Sequence, residues 1–191
     1  MNITGRSVLL CIDVQVGFED PSWGLRNNPM AETNVGRLQA FWRHSKRPVF
    51  HVRHDSLDPR SPLRPRQRGN AFKPQATPLG TELIFSKTVN SAFIGTKLEE
   101  TLRKGGHKTI VMVGLTTNQC VSTTARMAAN RGFETIVVSD ATAALRLMLD
   151  VCVAIAALQA AENRQELKSE GSSPVKDNEG GWISYCAPII T

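Results

Sequence analysis

Apolar residues along the 191-residue chain fall into short unbroken runs separated by amphipathic stretches. Residues 7–14, SVLLCIDV, form the first run, and its length and Val/Ile/Leu content predict a buried strand. Residues 17–29 combine Gly, Pro and Asn with the aromatics Phe18 and Trp23, and read as a loop over the end of that strand. Val35, Leu38, Phe41 and Trp42 share one face of a helix predicted over 32–45. Pro48 punctuates it, and residues 49–52 are the second strand. Residues 53–78, rich in Arg, Pro and Gly, make a long connection of a kind that is unusual inside a compact domain and often functional. A short strand follows over 82–85. A helix over 93–103 turns Phe93, Leu98 and Leu102 inward and ends at Gly105–Gly106, which permit a left-handed cap. Residues 109–114, TIVMVG, are the strongest strand of the chain. A helix over 118–130 stops at Gly132, and a strand over 135–138 is closed by Ser139 and Asp140.

Continuous apolar strands alternating with amphipathic helices predict an α/β fold, a three-layer αβα sandwich around a central, mostly parallel sheet. Right-handed crossovers set the C-terminal ends of the strands along one edge. Ligand sites in open α/β sheets lie along that edge. The pattern therefore puts Asp13, His54 and residues 115–120 on one side of the molecule.

Composition narrows the class. Hydrophobic residues make up 41% and charged residues 21%, an ordinary globular balance, and the length suits one domain with a sizeable core. Four scattered cysteines do not make a disulfide scaffold. Asp13 interrupts the only early apolar run, so no signal peptide is predicted. The apolar stretch 151–161 is 11 residues long, against about 20 for a membrane span. A reducing, cytoplasmic setting with no membrane partner is expected. The net charge is +6, and between Arg43 and Lys73 nine Lys or Arg face only Asp55 and Asp58. That segment lacks interleaved aromatics and a binding helix, which argues against nucleic acid. It reads as a solvated loop or as a mouth that attracts an anionic small molecule.

Chemistry concentrates at the strand ends. Cys120 falls in the first turn of the predicted helix 118–130, where unpaired backbone N–H groups and the helix dipole lower a thiol pKa and can hold an oxyanion. Position alone leaves a nucleophile and an inert core thiol both open. Cys11, inside an apolar strand, reads as core. Cys152 sits in an apolar helical run and Cys186 in the tail, and neither has a comparable setting. Asp13 ends an apolar strand, where a carboxylate needs a partner, and Lys87 follows the third strand. Each is unremarkable alone, as a turn residue and a surface lysine, but a Lys–Asp pair beside a thiol would satisfy both charges.

The segments LLCIDVQVGF, VFHVRH, SKTVNSAF and GLTTNQCVSTTARMAANRGFETIVVSDATA together resemble the isochorismatase-like hydrolases. This cysteine hydrolase superfamily also holds nicotinamidases and N-carbamoylsarcosine amidase. The resemblance covers residues 7–144, within a hydrolase domain taken as 1–167. It implies that Asp13, Lys87 and Cys120 fall on the family's catalytic triad, with Asp13 as proton acceptor and Lys87 as orienting cation. An adjacent cation lowers a carboxylate pKa, so Lys87 is expected to hold Asp13 ionised. The resemblance further implies a non-proline cis peptide between Leu115 and Thr116, turning the Thr116 N–H beside that of Cys120 toward an oxyanion. Phe18, Trp23, His54, Phe93 and Thr117 are pocket-wall candidates by loop placement. Gln15 is a candidate to hold the loop after the first strand, and Arg126 a packed or salt-bridged helix residue.

Departures from the family narrow the subclass. Nicotinamidases carry an Asp-x-His metal motif after the second strand. Here HVRHDSLDPRSP lacks it, so no metal and no cofactor are expected. Several isochorismatases lack the cysteine, and its retention points to acyl chemistry on an amide, imide or carbamoyl C–N bond of a small molecule. Vinyl-ether hydrolysis of an isochorismate-like anion and a non-catalytic scaffold on the same fold are the alternatives. A homo-oligomer, dimer or tetramer, is expected. After residue 144 the match fades. Residues 145–167 are a good helix former and 168–191 an atypical C-terminal tail that reads as flexible in its polar part.

Overall fold

The computed structural model describes residues 7–145. They fall within the first of the chain's two compact units, Met1–Val151; the second, Cys152–Thr191, lies outside the described residues. The expected helix over 145–167, the domain boundary at 167, the tail 168–191, Cys152 and Cys186 are therefore outside them as well.

Five strands form one parallel sheet: β1 Val8–Ile12, β2 Val49–His54, β3 Leu83–Lys87, β4 Thr109–Leu115 and β5 Glu134–Ala143, in the order β3-β2-β1-β4-β5. Every residue of β1 and β4 is buried, as expected of inner strands covered on both faces. Side chains alternate between two cores. Val8, Leu10, Ile12, Ile110 and Met112 face one way, and Leu9, Cys11, Val111 and Val113 the other. Helix α1, Ala31–His44, covers the second face through Val35 and Trp42. Helices α2, Leu98–Lys104, and α3, Ser122–Asn130, cover the first through Leu98, Leu102 and Ala128. This is the three-layer αβα sandwich. The chain runs from β1 outward to β3 and then crosses back to β4. Right-handed crossovers must then place α1 opposite α2 and α3, and β1 and β4 become the topological switch point.

Several element ends differ from the sequence reading, each for a local reason. The helix expected over 93–103 starts only at Leu98. Gly95 takes a left-handed φ of 71°, and the Thr96 hydroxyl accepts from the Leu98 N–H, so residues 93–97 form turns instead. The strand expected to stop before Ser139 runs on to Ala143. Its Asp140 carbonyl accepts from the side chains of Asn28 and Asn34, and its Thr142 carbonyl accepts from Asn28. Strand β3 reaches Lys87 and β2 reaches His54, so both residues are the last of their strands rather than residues beyond them. No α-helix bridges β2 and β3. The long connection instead makes 3-10 turns at Arg68–Asn70 and Pro74–Ala76. It is only partly the solvated loop of the sequence reading. Leu63, Asn70 and Lys73 are buried, whereas Arg60, Arg64, Arg66 and Arg68 are exposed.

Gly114 sets how closely the two switch-point strands approach. Its φ is 121°, and a Cβ there would lie 2.8 Å from the Ile12 carbonyl carbon and nearer still to its oxygen. Gly114→Ala is expected to destabilise the fold by on the order of 1–3 kcal/mol from backbone conformation alone, with the steric clash added. A shift of the urea midpoint measures it.

Two partly buried ion clusters tie the long connection and the β3 approach to α1. Glu32 takes both Arg26 nitrogens, at 2.6 and 2.8 Å, and the Lys73 ammonium at 2.6 Å. Glu82 takes Arg43 and the His51 ring, each at 2.8 Å. Burial alone would raise both carboxyls, but Arg26 and Lys73 at Glu32, and Arg43, the Leu79 N–H and the His51 ring at Glu82, outweigh it and hold each at about 2. Their folded values lie below the unfolded one. The stabilisation is therefore complete above about pH 4.5 and is lost as pH falls from there through about 2. Urea midpoints measured across that window should fall steeply for the native chain and less steeply for Glu82→Gln.

Candidate active site

The site lies where β1, β2, β3 and β4 run out. Asp13 directly follows the last residue of β1, Ile12, and has a left-handed φ of 51°. Short polar side chains tolerate this conformation better than most. The Asp13 N–H donates to the Val52 carbonyl, and the Gln15 N–H turns back onto the Asp13 carbonyl. The tight turn keeps the carboxyl at the sheet edge, where it is 0% exposed. Lys87 is carried in by β3, in register with His54 of β2, and is 2% exposed. After β4 the Leu115–Thr116 peptide is cis. The chain then makes one π-helical turn, Thr117–Val121, before α3. The Thr116 carbonyl accepts from both Gln119 and Val121 N–H. Cys120 thus sits in a π turn leading into the helix, rather than in the first turn of a helix beginning at 118.

Four side chains far apart in sequence converge here. The Lys87 ammonium donates to Asp13 Oδ2 at 2.5 Å, to Cys120 Sγ at 3.3 Å and to His54 Nδ1 at 3.1 Å. The second Asp13 oxygen, Oδ1, is buried with no hydrogen-bond partner among the described residues. The carboxylate also bears directly on the Cys120 thiol. Asn90 lies alongside: its amide donates to Gln119 Oε1 at 3.1 Å, and its Oδ1 is 3.9 Å from Cys120 Sγ.

The electrostatics reverse two expectations. Cys120 is pushed up to about 12, by burial first and by the Asp13 charge second, against the downward pull of Lys87. The expected lowering at a helix start does not occur, because the sulfur is desolvated and faces a carboxylate. Burial likewise raises Asp13 above its ordinary value, and Lys87 offsets this only in part. The resting thiol is therefore protonated, beside a carboxylate more basic than an exposed aspartate. His54 is held down at about 4, by burial and then by Lys87.

The other sequence candidates are placed as follows. Phe18 is buried in a small cluster with Leu63, Leu115 and Leu145, and Trp23 packs on it at 5.7 Å while donating to the Gly17 carbonyl. Phe93 is in the α2/α3 core, 6.0 Å from Phe133. Thr117 opens the π turn and is half-buried. Gln15 does hold the strand ends together: its amide bonds both the N–H and the carbonyl of His54, and also the Asn70 carbonyl. Arg126 reaches back to Ser122 on its own helix. Two roles escaped the sequence reading. His54 contacts Lys87 rather than merely lining a wall, and Asn90 brackets the sulfur. The sequence carried no signal for the first, since the register that pairs His54 with Lys87 crosses the irregular β2–β3 connection.

Asp13, His54 and Cys120 also present donor atoms within 4.8 Å of one another, a set that a metal ion could use. The Lys87 ammonium touches all three, so a divalent ion at that point would meet a fixed positive charge. No helix among the described residues is long and apolar enough to cross a membrane.

Known proteins share this arrangement of chain. Residues 7–148 match the isochorismatase domain. The isochorismatase family protein YrdC of Bacillus subtilis is 46% identical over 139 residues, 73% of this chain and 74% of its own. Nicotinamidase 3 of Arabidopsis thaliana is 30% identical over 150 residues, covering 72% and 73%. The crystal structure of an isochorismatase-family protein from Chromobacterium violaceum superposes with a TM-score of 0.73 at 42% identity, over 75% of each chain. On this domain match, these identities and the shared αβα fold, the chain belongs to the isochorismatase family of hydrolases.

Proposed function

We propose that this protein hydrolyses a C–N bond of a small amide, imide or carbamoyl compound through a thioester on Cys120. The observation that carries the reading is the Cys120 sulfur held with Asp13 and Lys87 at the switch point of the sheet. In this reading Asp13 takes the thiol proton as sulfur attacks the carbonyl carbon. A carboxyl raised by burial is a better base for that step than an ordinary aspartate. The backbone N–H groups of Thr116 and Cys120 hold the resulting oxyanion. The tetrahedral species collapses, the C–N bond breaks, and Asp13 returns the proton to the leaving amine. Asp13 then takes a proton from water attacking the thioester, and passes it to sulfur as the carboxylic product leaves. Lys87 remains beside both groups and offsets each negative charge as it appears. The nicotinamidase relative supports a C–N bond as target.

Exposed Arg60, Arg64, Arg66 and Arg68 favour an anionic substrate by raising its local concentration. The reading places a homo-oligomeric enzyme in the cytoplasm, and routes no step through a metal or cofactor. Light scattering and cell fractionation report on the assembly and the compartment.

The test is a panel of small amides, imides and carbamoyl compounds, acid-quenched during turnover. An acyl mass on the Cys120 peptide, with release of the matching amine, is expected. Hydrolysis of isochorismate by a Cys120→Ala protein would instead establish vinyl-ether chemistry and overturn the reading.

A further inference from the structure

We infer that His54 is a positioning residue, which acts through its Nδ1 on Lys87 as the third point of a tripod that holds the ammonium between Asp13 and Cys120. The inference deepens the reading of Cys120 as nucleophile and rests on it.

An ammonium has three N–H donors and no acceptor. Those of Lys87 have three acceptors in reach: Asp13 Oδ2, Cys120 Sγ and His54 Nδ1. Nδ1 must therefore be the unprotonated nitrogen, and the neutral ring carries its proton on Nε2. The residue itself is fixed. Gln15 accepts from its N–H at 2.8 Å and donates to its carbonyl at 3.1 Å, and Asn70 donates to the same carbonyl at 3.1 Å. Asn70 is tied in turn to Asp55 and to the Leu63 carbonyl. The long connection thus reaches Lys87 through one imidazole.

Without Nδ1, Lys87 keeps two partners and is free to swing about the Asp13 contact, away from sulfur. Protonation of His54 would have the same effect more strongly, since it removes the lone pair and sets a second cation beside the ammonium. The charged and titratable groups facing the ring are Lys87, Asp13, Cys120 and Asp55. Asp55 favours protonation; burial first and Lys87 second oppose it, and hold the ring at about 4.

Asn and Gln separate the two nitrogens, because an Asn amide oxygen occupies the place of Nδ1 and a Gln amide that of Nε2. The experiment compares His54→Asn, His54→Gln and His54→Leu, each with its thermal melt recorded. Its readout is the rate of Cys120 alkylation by iodoacetamide at pH 9, followed on the Cys120 peptide, and this needs no substrate. Lys87 pulls the thiol pKa down, and one pKa unit is tenfold in thiolate. Alkylation is therefore expected to slow about tenfold in His54→Gln and His54→Leu, and to stay within about threefold of native in His54→Asn. Once a substrate is in hand, kcat should follow the same order, falling on the order of 10–100-fold with KM little changed. The acid limb of the native pH profile should also lose its contribution near 4 in His54→Asn, a change that a merely structural residue would not produce. Native alkylation rates in all three folded variants, or retention by Gln and not by Asn, would overturn the inference. If the alkylation order holds while no C–N compound is turned over, the inference stands and the proposed function fails.

Discussion

Cys120→Ala should lose turnover of its C–N substrate by about 10⁴-fold or more, the scale on which a covalent nucleophile is lost, while keeping its fold. The sulfur is the smallest member of the cluster, and its removal leaves the Asp13–Lys87 pair at 2.5 Å intact. Burial of Cys120 with Val121, Phe93 and Leu98 limits the stability loss to that of one small side chain. Paired measurements of kcat and of the urea midpoint separate the two effects. Residual turnover within tenfold of native would mean that the thiol is packing and not chemistry.

Lys87→Met should be the most destabilising single change at the site. It leaves the Asp13 carboxyl at 0% exposure without a counterion. Removing one partner of a buried pair costs on the order of 3–5 kcal/mol, softened as Asp13 takes up a proton instead of holding a bare charge. That proton disables Asp13 as a base, so activity should vanish together with stability. Adding Asp13→Asn removes the orphaned charge. The double variant is expected to regain much of the stability and none of the activity. Equal stability of the single and double variants would show that the pair is not coupled.

The strands were legible because each contains a short, largely apolar run. Residues 8–12 and 109–115 need both faces buried, and only a sheet between two helical layers supplies that. The extension of β5 was not legible, because Ser139 and Asp140 are polar, and the Asp140 and Thr142 carbonyls are held by Asn28 and Asn34 from more than one hundred residues away. The late start of α2 turned on the left-handed Gly95 and the Thr96 hydroxyl, which the apolar spacing of Phe93, Leu98 and Leu102 does not encode. Asp13, Lys87 and Cys120 stood out as polar residues at strand ends. Their charge states did not, since the depth of burial that raises Cys120 and Asp13 is a property of the assembled sheet edge. His54 was visible as a residue and not as a partner of Lys87, because the β2–β3 register that pairs them spans the irregular connection between those strands.

The central claim is that Asp13, Lys87 and Cys120 form one charge-coupled unit, in which the thiol stays protonated until a base takes its proton during reaction. The pH dependence of Cys120 alkylation, in the native chain and in Asp13→Asn, tests it without any substrate. The native thiol should titrate near 12. Asp13→Asn should titrate lower, because the opposing carboxylate is gone and the Lys87 ammonium turns wholly to sulfur. A native Cys120 that titrates at or below the ordinary thiol value of about 8.5, or a profile that Asp13→Asn leaves unmoved, would contradict the account.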